Sequence, residues 1–140
     1  MASKIRLEIV SAESELFSGD CEMIFAPAVM GEVGILPRHA PLLTTLRPGE
    51  VVARLEGGEE QTFYVSGGVL EVQPHVVTVL SDTAHRAADL DEAAALEAKD
   101  RAERALSDRK SDIDEAAARA ELAQAAAQIR AIQRLRKTIR

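Results

Sequence analysis

The residue types able to do chemistry are few in this chain of 140 residues. His39, His75 and His85 stand far apart and form no H-x-H or H-E-x-x-H pattern, so no two share the one-face spacing that ligates zinc. Cys21 is the sole cysteine, which excludes an internal disulfide and a cysteine-based zinc site. It follows the turn-like Ser18-Gly19-Asp20 and reads as a buried structural thiol. Ser66-Gly67-Gly68 leads into a strand-like run rather than a helix, which predicts a strand break or bulge and not a phosphate cradle. No G-x-x-x-x-G-K-[ST], G-x-G-x-x-G or G-x-S-x-G string occurs. Carboxylates are plentiful, but their spacing pairs none of them for acid–base work. These residues predict a chain with no catalytic machinery of its own, no cofactor and no metal.

The charged residues carry more information. Lys and Arg number 17 against 23 Asp and Glu, a net charge of −6, which excludes a general nucleic-acid binder by sign. Residues 122–140 hold five basic side chains (Arg130, Arg134, Arg136, Lys137, Arg140) and no acidic one. Basic groups at a helix C-terminus complement the macrodipole, and that explains one or two of them. The other reading is a basic tail that docks on an acidic surface.

Two bodies must position these residues. All eight Gly, all five Pro, all eleven Val and all four aromatics precede residue 81, whereas 18 of the 48 residues from Ala84 to Ala131 are alanine. The first part has strand and turn chemistry, the second helix chemistry. Ile5, Leu7 and Ile9 alternate with charged residues, and short runs recur at Glu22–Ala26, Leu42–Leu46, Glu50–Leu55, Gln61–Val65, Val69–Gln73 and Val76–Ser81. Punctuation at Ser18-Gly19-Asp20, Arg47-Pro48-Gly49, Gly57-Gly58 and Gln73-Pro74-His75 predicts an all-β sandwich or barrel, with a tight hairpin at Gly57-Gly58. Met30–Pro41, with two Gly and two Pro, reads as an ordered loop, either a plain connection or a partner contact.

In the second part, Asp89-Leu90-Asp91-Glu92 has capping-box spacing and predicts a helix from about Leu90 to Leu106 with a seam at Ala95, Ala98, Ala102 and Ala105. Asp112-Ile113-Asp114-Glu115 repeats the signal for a second helix, with Ala118, Leu122, Ala125, Ile129 and Ile132 on one stripe. Together they predict an antiparallel helical hairpin whose alanine seam buries little apolar area. No apolar run is long enough to span a membrane, and the N-terminus lacks the apolar core of a leader, which predicts a cytosolic chain.

Several strings coincide with a known family. Val10-Ser11-Ala12-Glu13, Phe17-Ser18-Gly19, Gly31-Glu32-Val33-Gly34-Ile35, Pro37-Arg38-His39-Ala40-Pro41-Leu42-Leu43-Thr44, Tyr64-Val65-Ser66-Gly67-Gly68-Val69-Leu70-Glu71-Val72-Gln73-Pro74 and Asp89-Leu90-Asp91-Glu92-Ala93 together resemble the epsilon subunits of bacterial F-type ATP synthases. The resemblance implies a ten-stranded β-sandwich over residues 1–85 and a two-helix hairpin over residues 86–140. It implies a non-catalytic rotor subunit of the central stalk. The sandwich grips the gamma subunit and rests on the c-subunit ring, so that proton-driven rotation is coupled to ATP synthesis in the catalytic head. It implies c-ring contact through Glu32, Arg38 and His39. The hairpin, extended toward the alpha and beta subunits, would inhibit hydrolysis, with Arg130, Arg134 and Arg136 facing the catalytic head. Deleting residues after about Ser81 is then expected to leave assembly intact and raise hydrolysis.

Some members of the family bind ATP through Leu or Ile, Asp, two residues, then Arg and Ala. Leu90 and Asp91 match here, but Ala94 replaces the arginine, and a second-helix arginine falls on Ala126 although Arg130 remains. Weak or absent ATP binding is the expectation, because alanine offers no guanidinium to a phosphate. The expected location is the cytoplasmic face of the bacterial inner membrane, held there by the complex. The competing reading is a stand-alone adaptor whose two parts bind two proteins; co-elution with gamma separates the two.

Overall fold

The computed structural model describes residues 3–107 and 112–139, except for the side chains of Ala93, 112–114 and 136–139. The chain divides into two compact units, Met1–Arg86 and Ala87–Arg140. The first holds strands β1 (Ile5–Ser11), β2 (Glu15–Cys21), β3 (Met23–Ala28), β4 (Gly31–Ile35), β5 (Leu42–Arg54), β6 (Glu60–Val72), β7 (Val76–Ser81) and β8 (Ala84–Arg86). They hydrogen-bond in the order β2-β1-β7-β6-β5-β3-β4, with β8 on β6. β1 and β7 run parallel, so the sheet is mixed. One side chain in two points inward: Ile5, Leu7 and Ile9 of β1 meet Leu70, Val72, Val77 and Val79 in a core that also holds Ile24, Ile35, Val51 and Phe63.

The described strands number eight, not the ten implied by the resemblance. The reason lies in β5 and β6, each 13 residues long. Their ladder runs from Leu42↔Val72 to Leu46↔Gly68, skips Arg47 and Gly67, and resumes from Pro48↔Ser66 to Arg54↔Glu60. Proline lacks the N–H that the ladder needs, and Gly67 and Gly68 have φ of 112° and 130°, open only to glycine. The pair therefore bends without ending. Beyond the bend β6 changes neighbours, from β8 along Phe63–Val65 to β7 along Val69–Val72. Breaking both arms at the bend would turn eight strands into ten. Arg47-Pro48-Gly49 is thus a bend inside a strand rather than a turn between two.

Two further expectations change. Part of the Met30–Pro41 loop is β4, an edge strand paired antiparallel with β3 from Ile24↔Ile35 to Ala28↔Gly31. Ser18-Gly19-Asp20 belongs to β2, the opposite edge, paired with β1 through Glu8↔Ser18, Leu7↔Gly19 and Arg6↔Asp20. Edge strands need only one ladder and tolerate turn-forming residues, so their composition hides them. The β5–β6 connection does turn at Gly57-Gly58, with φ of 88° and 86°, inside the short 3₁₀ turn Glu56–Gly58.

The second unit opens with the 3₁₀ turn Ala87–Asp89 and continues with α1 (Glu92–Ser107) and α2 (Asp112–Ile139). α1 packs on α2, and α2 also packs on the 3₁₀ turn. Ala95 and Ala102 of α1, and Ala118, Ala125, Ile129 and Ile132 of α2, are buried as the stripes predict, while Ala105 is exposed. Ala127 and Ala131, off the expected stripe, are also fully buried.

Candidate functional site: interaction surfaces

The three residues assigned to the c-ring fall on two different elements. Glu32 is exposed on β4, opposite Pro27, beside a β3–β4 tip that leaves Val29 56% and Met30 87% exposed. Arg38 and His39 lie past the far end of β4, where the Arg38 N–H donates to Pro74 O (2.9 Å) and the His39 N–H to Leu36 O (3.2 Å). The strand residues 33–35 separate the two places by roughly 10 Å of extended chain. Arg38 has a φ of 65°, a conformation that costs a side-chain-bearing residue about 1 kcal/mol. Two main-chain tethers hold it there. The His39 Nδ1–H donates to the Ala40 carbonyl at 2.7 Å, which fixes the ring.

A larger surface has no counterpart in the sequence reading. On the outer face of the sheet, Val10 stands opposite Leu80, Leu80 opposite Val69, and Val69 opposite Thr45. The row continues to Val29, whose N–H donates to Thr45 O (3.0 Å). Val29, Val69 and Leu80 are 56%, 40% and 47% exposed, and Leu43 on the neighbouring row is 71% exposed. Four apolar side chains, with Thr45 between Val69 and Val29, make at the inter-strand spacing a mainly apolar stripe roughly 20 Å long. A shallow depression of about 340 Å³, lined by Val10, Ala12, Gly68, Val69, Leu80 and Asp82 among others, lies along it. The available signal was phase: Val76-Val77-Thr78-Val79-Leu80 is apolar on both faces, more than a solvated strand needs. Which strands lie side by side, and hence the stripe itself, is a tertiary fact.

On the hairpin, Asp91 is the N-cap of α1. Its Oδ1 accepts from the Ala94 N–H at 3.2 Å, and its carbonyl accepts from the Ala95 N–H. The expected box at Asp89 is displaced by two residues, because Asp89 is taken up in the 3₁₀ turn. A groove of about 410 Å³ between α1 and α2 is lined by Ala98, Arg101, Glu121, Gln124, Ala125 and Gln128; Leu90, Asp91 and Arg130 are not among its walls. Arg130 and Arg134 are exposed on α2, and the Arg136 side chain lies outside the described residues.

Burial pushes the Cys21 thiol up to about 11, so it stays protonated and inert at neutral pH. At the surface Lys4 and Glu56 bond at 2.8 Å; that hydrogen bond, then their mutual attraction, raises the lysine and lowers the carboxyl. Among the described residues no group of three or more His, Cys, Asp or Glu is placed to hold a metal. Among them, too, no helix is long and apolar enough to cross a membrane.

What the molecule offers is contact area: an apolar stripe on one unit and a helical pair with an alanine-rich seam as the other. That is the construction of an interaction subunit. Residues 4–87 match the family described as the beta-sandwich domain of the ATP synthase Delta/Epsilon chain, and residues 88–133 its long alpha-helix domain. The chain is 65% identical over 139 residues to the ATP synthase epsilon chain of Nitrosococcus oceani, covering 99% of each. Its fold is similar to a chain of the Euglena gracilis mitochondrial ATP synthase, in a structure of OSCP, F1 and c-ring (TM-score 0.70, 22% identity, 99% of this chain and 82% of that one). It is also similar to a chain in the central stalk and c-ring of the Tetrahymena thermophila mitochondrial ATP synthase (TM-score 0.61, 12% identity, 93% and 97%). The chain belongs to the ATP synthase delta/epsilon family, with epsilon chains as its full-length relatives.

Proposed function

We propose that this chain is a non-catalytic central-stalk subunit of a proton-driven ATP synthase, and that the stripe Val10–Leu80–Val69–Thr45–Val29 is its grip on the gamma subunit. The exposed apolar stripe carries this reading, since a monomer in water gains nothing from leaving Val29, Leu43, Val69 and Leu80 uncovered. The c-ring contact falls to Arg38 and His39 on their tethered turn and to Glu32 beside the Met30 tip. The hairpin is the regulatory part: extended toward the catalytic head, it restrains hydrolysis. The chain has its place at the cytoplasmic face of the inner membrane, held by protein contacts.

The test is co-elution with gamma. Leu80→Glu and Val69→Glu place a carboxylate where the partner must exclude water, and burying an unpaired charge costs several kcal/mol, so binding should weaken by at least ~100-fold. Both side chains point outward, so thermal unfolding should stay near that of the unaltered chain. Undiminished co-elution of both variants would remove the stripe from the interface.

A further inference from the structure

We infer that Arg86 is a positioning residue that sets where the helical hairpin pivots, by pinning the chain to the sandwich up to its own position and no further. The inference rests on the reading of the hairpin as a moving part.

β8 is only three residues long, Ala84–Arg86, and pairs with Val65, Tyr64 and Phe63 of β6. A ladder so short is weak by itself. Two devices reinforce it. At its start, the Ser81 Oγ–H donates to Thr83 O (2.9 Å), the Thr83 N–H donates to Ser66 Oγ (3.1 Å) and the Ser66 N–H to Thr83 O (3.0 Å). At its end, the Arg86 guanidinium reaches across two strands. Nη2 donates to Leu16 O of β2 at 3.0 Å, and Nη1 to Gln61 Oε1 of β6 at 3.2 Å. Its central carbon lies 5.5 Å from the centroid of Phe63, a fully buried ring that packs on Phe17 at 5.1 Å. Arg86 lines, with Leu16, Phe17 and Gln61 among others, an open groove of about 310 Å³. One side chain thus ties β8, β2 and β6 together through two donors and an aromatic face, which suits a planar guanidinium and not an ammonium.

Immediately afterwards the bonding changes side. The Leu90 N–H donates to Ala87 O (3.2 Å), and the α1 cap is made by Asp91; both serve the helical unit. The division between the compact units falls at the same bond, after Arg86. The 3₁₀ turn Ala87–Asp89 packs on α2 and goes with the helical unit, so the junction at Arg86–Ala87 is the place left to absorb rotation. Without the clamp, the three residues of β8 would join it and the free tether would begin at Ala84, just after the Thr83–Ser66 bonds. The hairpin would then be aimed less narrowly, as a longer linker permits.

Amide hydrogen exchange on the full chain tests this. The unaltered chain should show a protection step between Arg86 and Ala87, with Ala84–Arg86 protected above residues 87–90. Arg86→Ala should raise exchange across Ala84–Arg86 on the order of 10- to 100-fold, the scale of losing charge-assisted bonds, and move the step back to Thr83, which Ser66 still holds. Strand Ile5–Ser11 should keep its protection. Arg86→Lys should act in the same direction, and Gln61→Leu, which removes one acceptor, more weakly. If Arg86→Ala and Arg86→Lys leave Ala84–Arg86 protected, or if the step already lies at Thr83 in the unaltered chain, the pivot assignment is wrong. Whether the hairpin restrains hydrolysis is read separately, by truncation in the assembled enzyme, so either result can fail alone.

Discussion

Gly68 shows what one residue does in this fold. It has a φ of 130°, and a Cβ there would lie 2.0 Å from the Leu80 carbonyl oxygen, which no side-chain adjustment relieves. Gly57 has a similar φ of 88° but open space around it. The contrast separates backbone strain from collision. Gly57→Ala should cost about 1 kcal/mol, from strain alone. Gly68→Ala should cost roughly 3 kcal/mol or more and lower the thermal midpoint of the chain by roughly 10–20 °C. Equal midpoints for the two variants would show that β7 is free to move away. The sequence marks Ser66-Gly67-Gly68 as a break. It cannot name the carbonyl that makes Gly68 obligatory, because Leu80 lies on another strand.

Among the elements, β7 spans Val76–Ser81 as its run predicts, whereas α1 begins at Glu92 and not near Leu90. Its start was misplaced because Asp89 and Asp91 are equivalent acceptors on paper; the 3₁₀ turn consumes one and leaves the other to cap. That geometry bears on nucleotide binding. The Asp91 carboxylate is engaged by the Ala94 N–H, and Ala94 itself offers only a methyl group. The isolated chain should therefore bind ATP weakly or not at all. An NMR titration should leave amides 90–106 unshifted at micromolar ATP; saturable shifts there would contradict this, with Arg101 in the interhelical groove the first suspect. Edge strands β2 and β4 mark the opposite case. They were legible only as turns and loop, since a strand with one neighbour carries little hydrophobic pattern.

For the whole molecule, the boundary between units decides how the regulatory reading should be tested. Truncation after Ser81 would remove β8 and the Arg86 clamp along with the hairpin, so the cut belongs after Arg86. A chain ending there should assemble normally and raise ATP hydrolysis of the complex several-fold. Replacing Arg130 and Arg134 with alanine should give part of that rise, and high salt should shrink the difference, as screening dictates. Hydrolysis unchanged by the truncation would mean that the hairpin is no brake. The sequence by itself determined the two-part plan, the inward-facing residues of β1, most of the alanine seam and the family, because each is written in local composition, periodicity or strings. Only the tertiary structure decided that β5 and β6 bend without ending, that Val10, Leu80, Val69 and Val29 line up as one surface, and that Arg86 closes the sandwich. All three depend on which strands become neighbours, and long-range pairing is set by packing that no local pattern records.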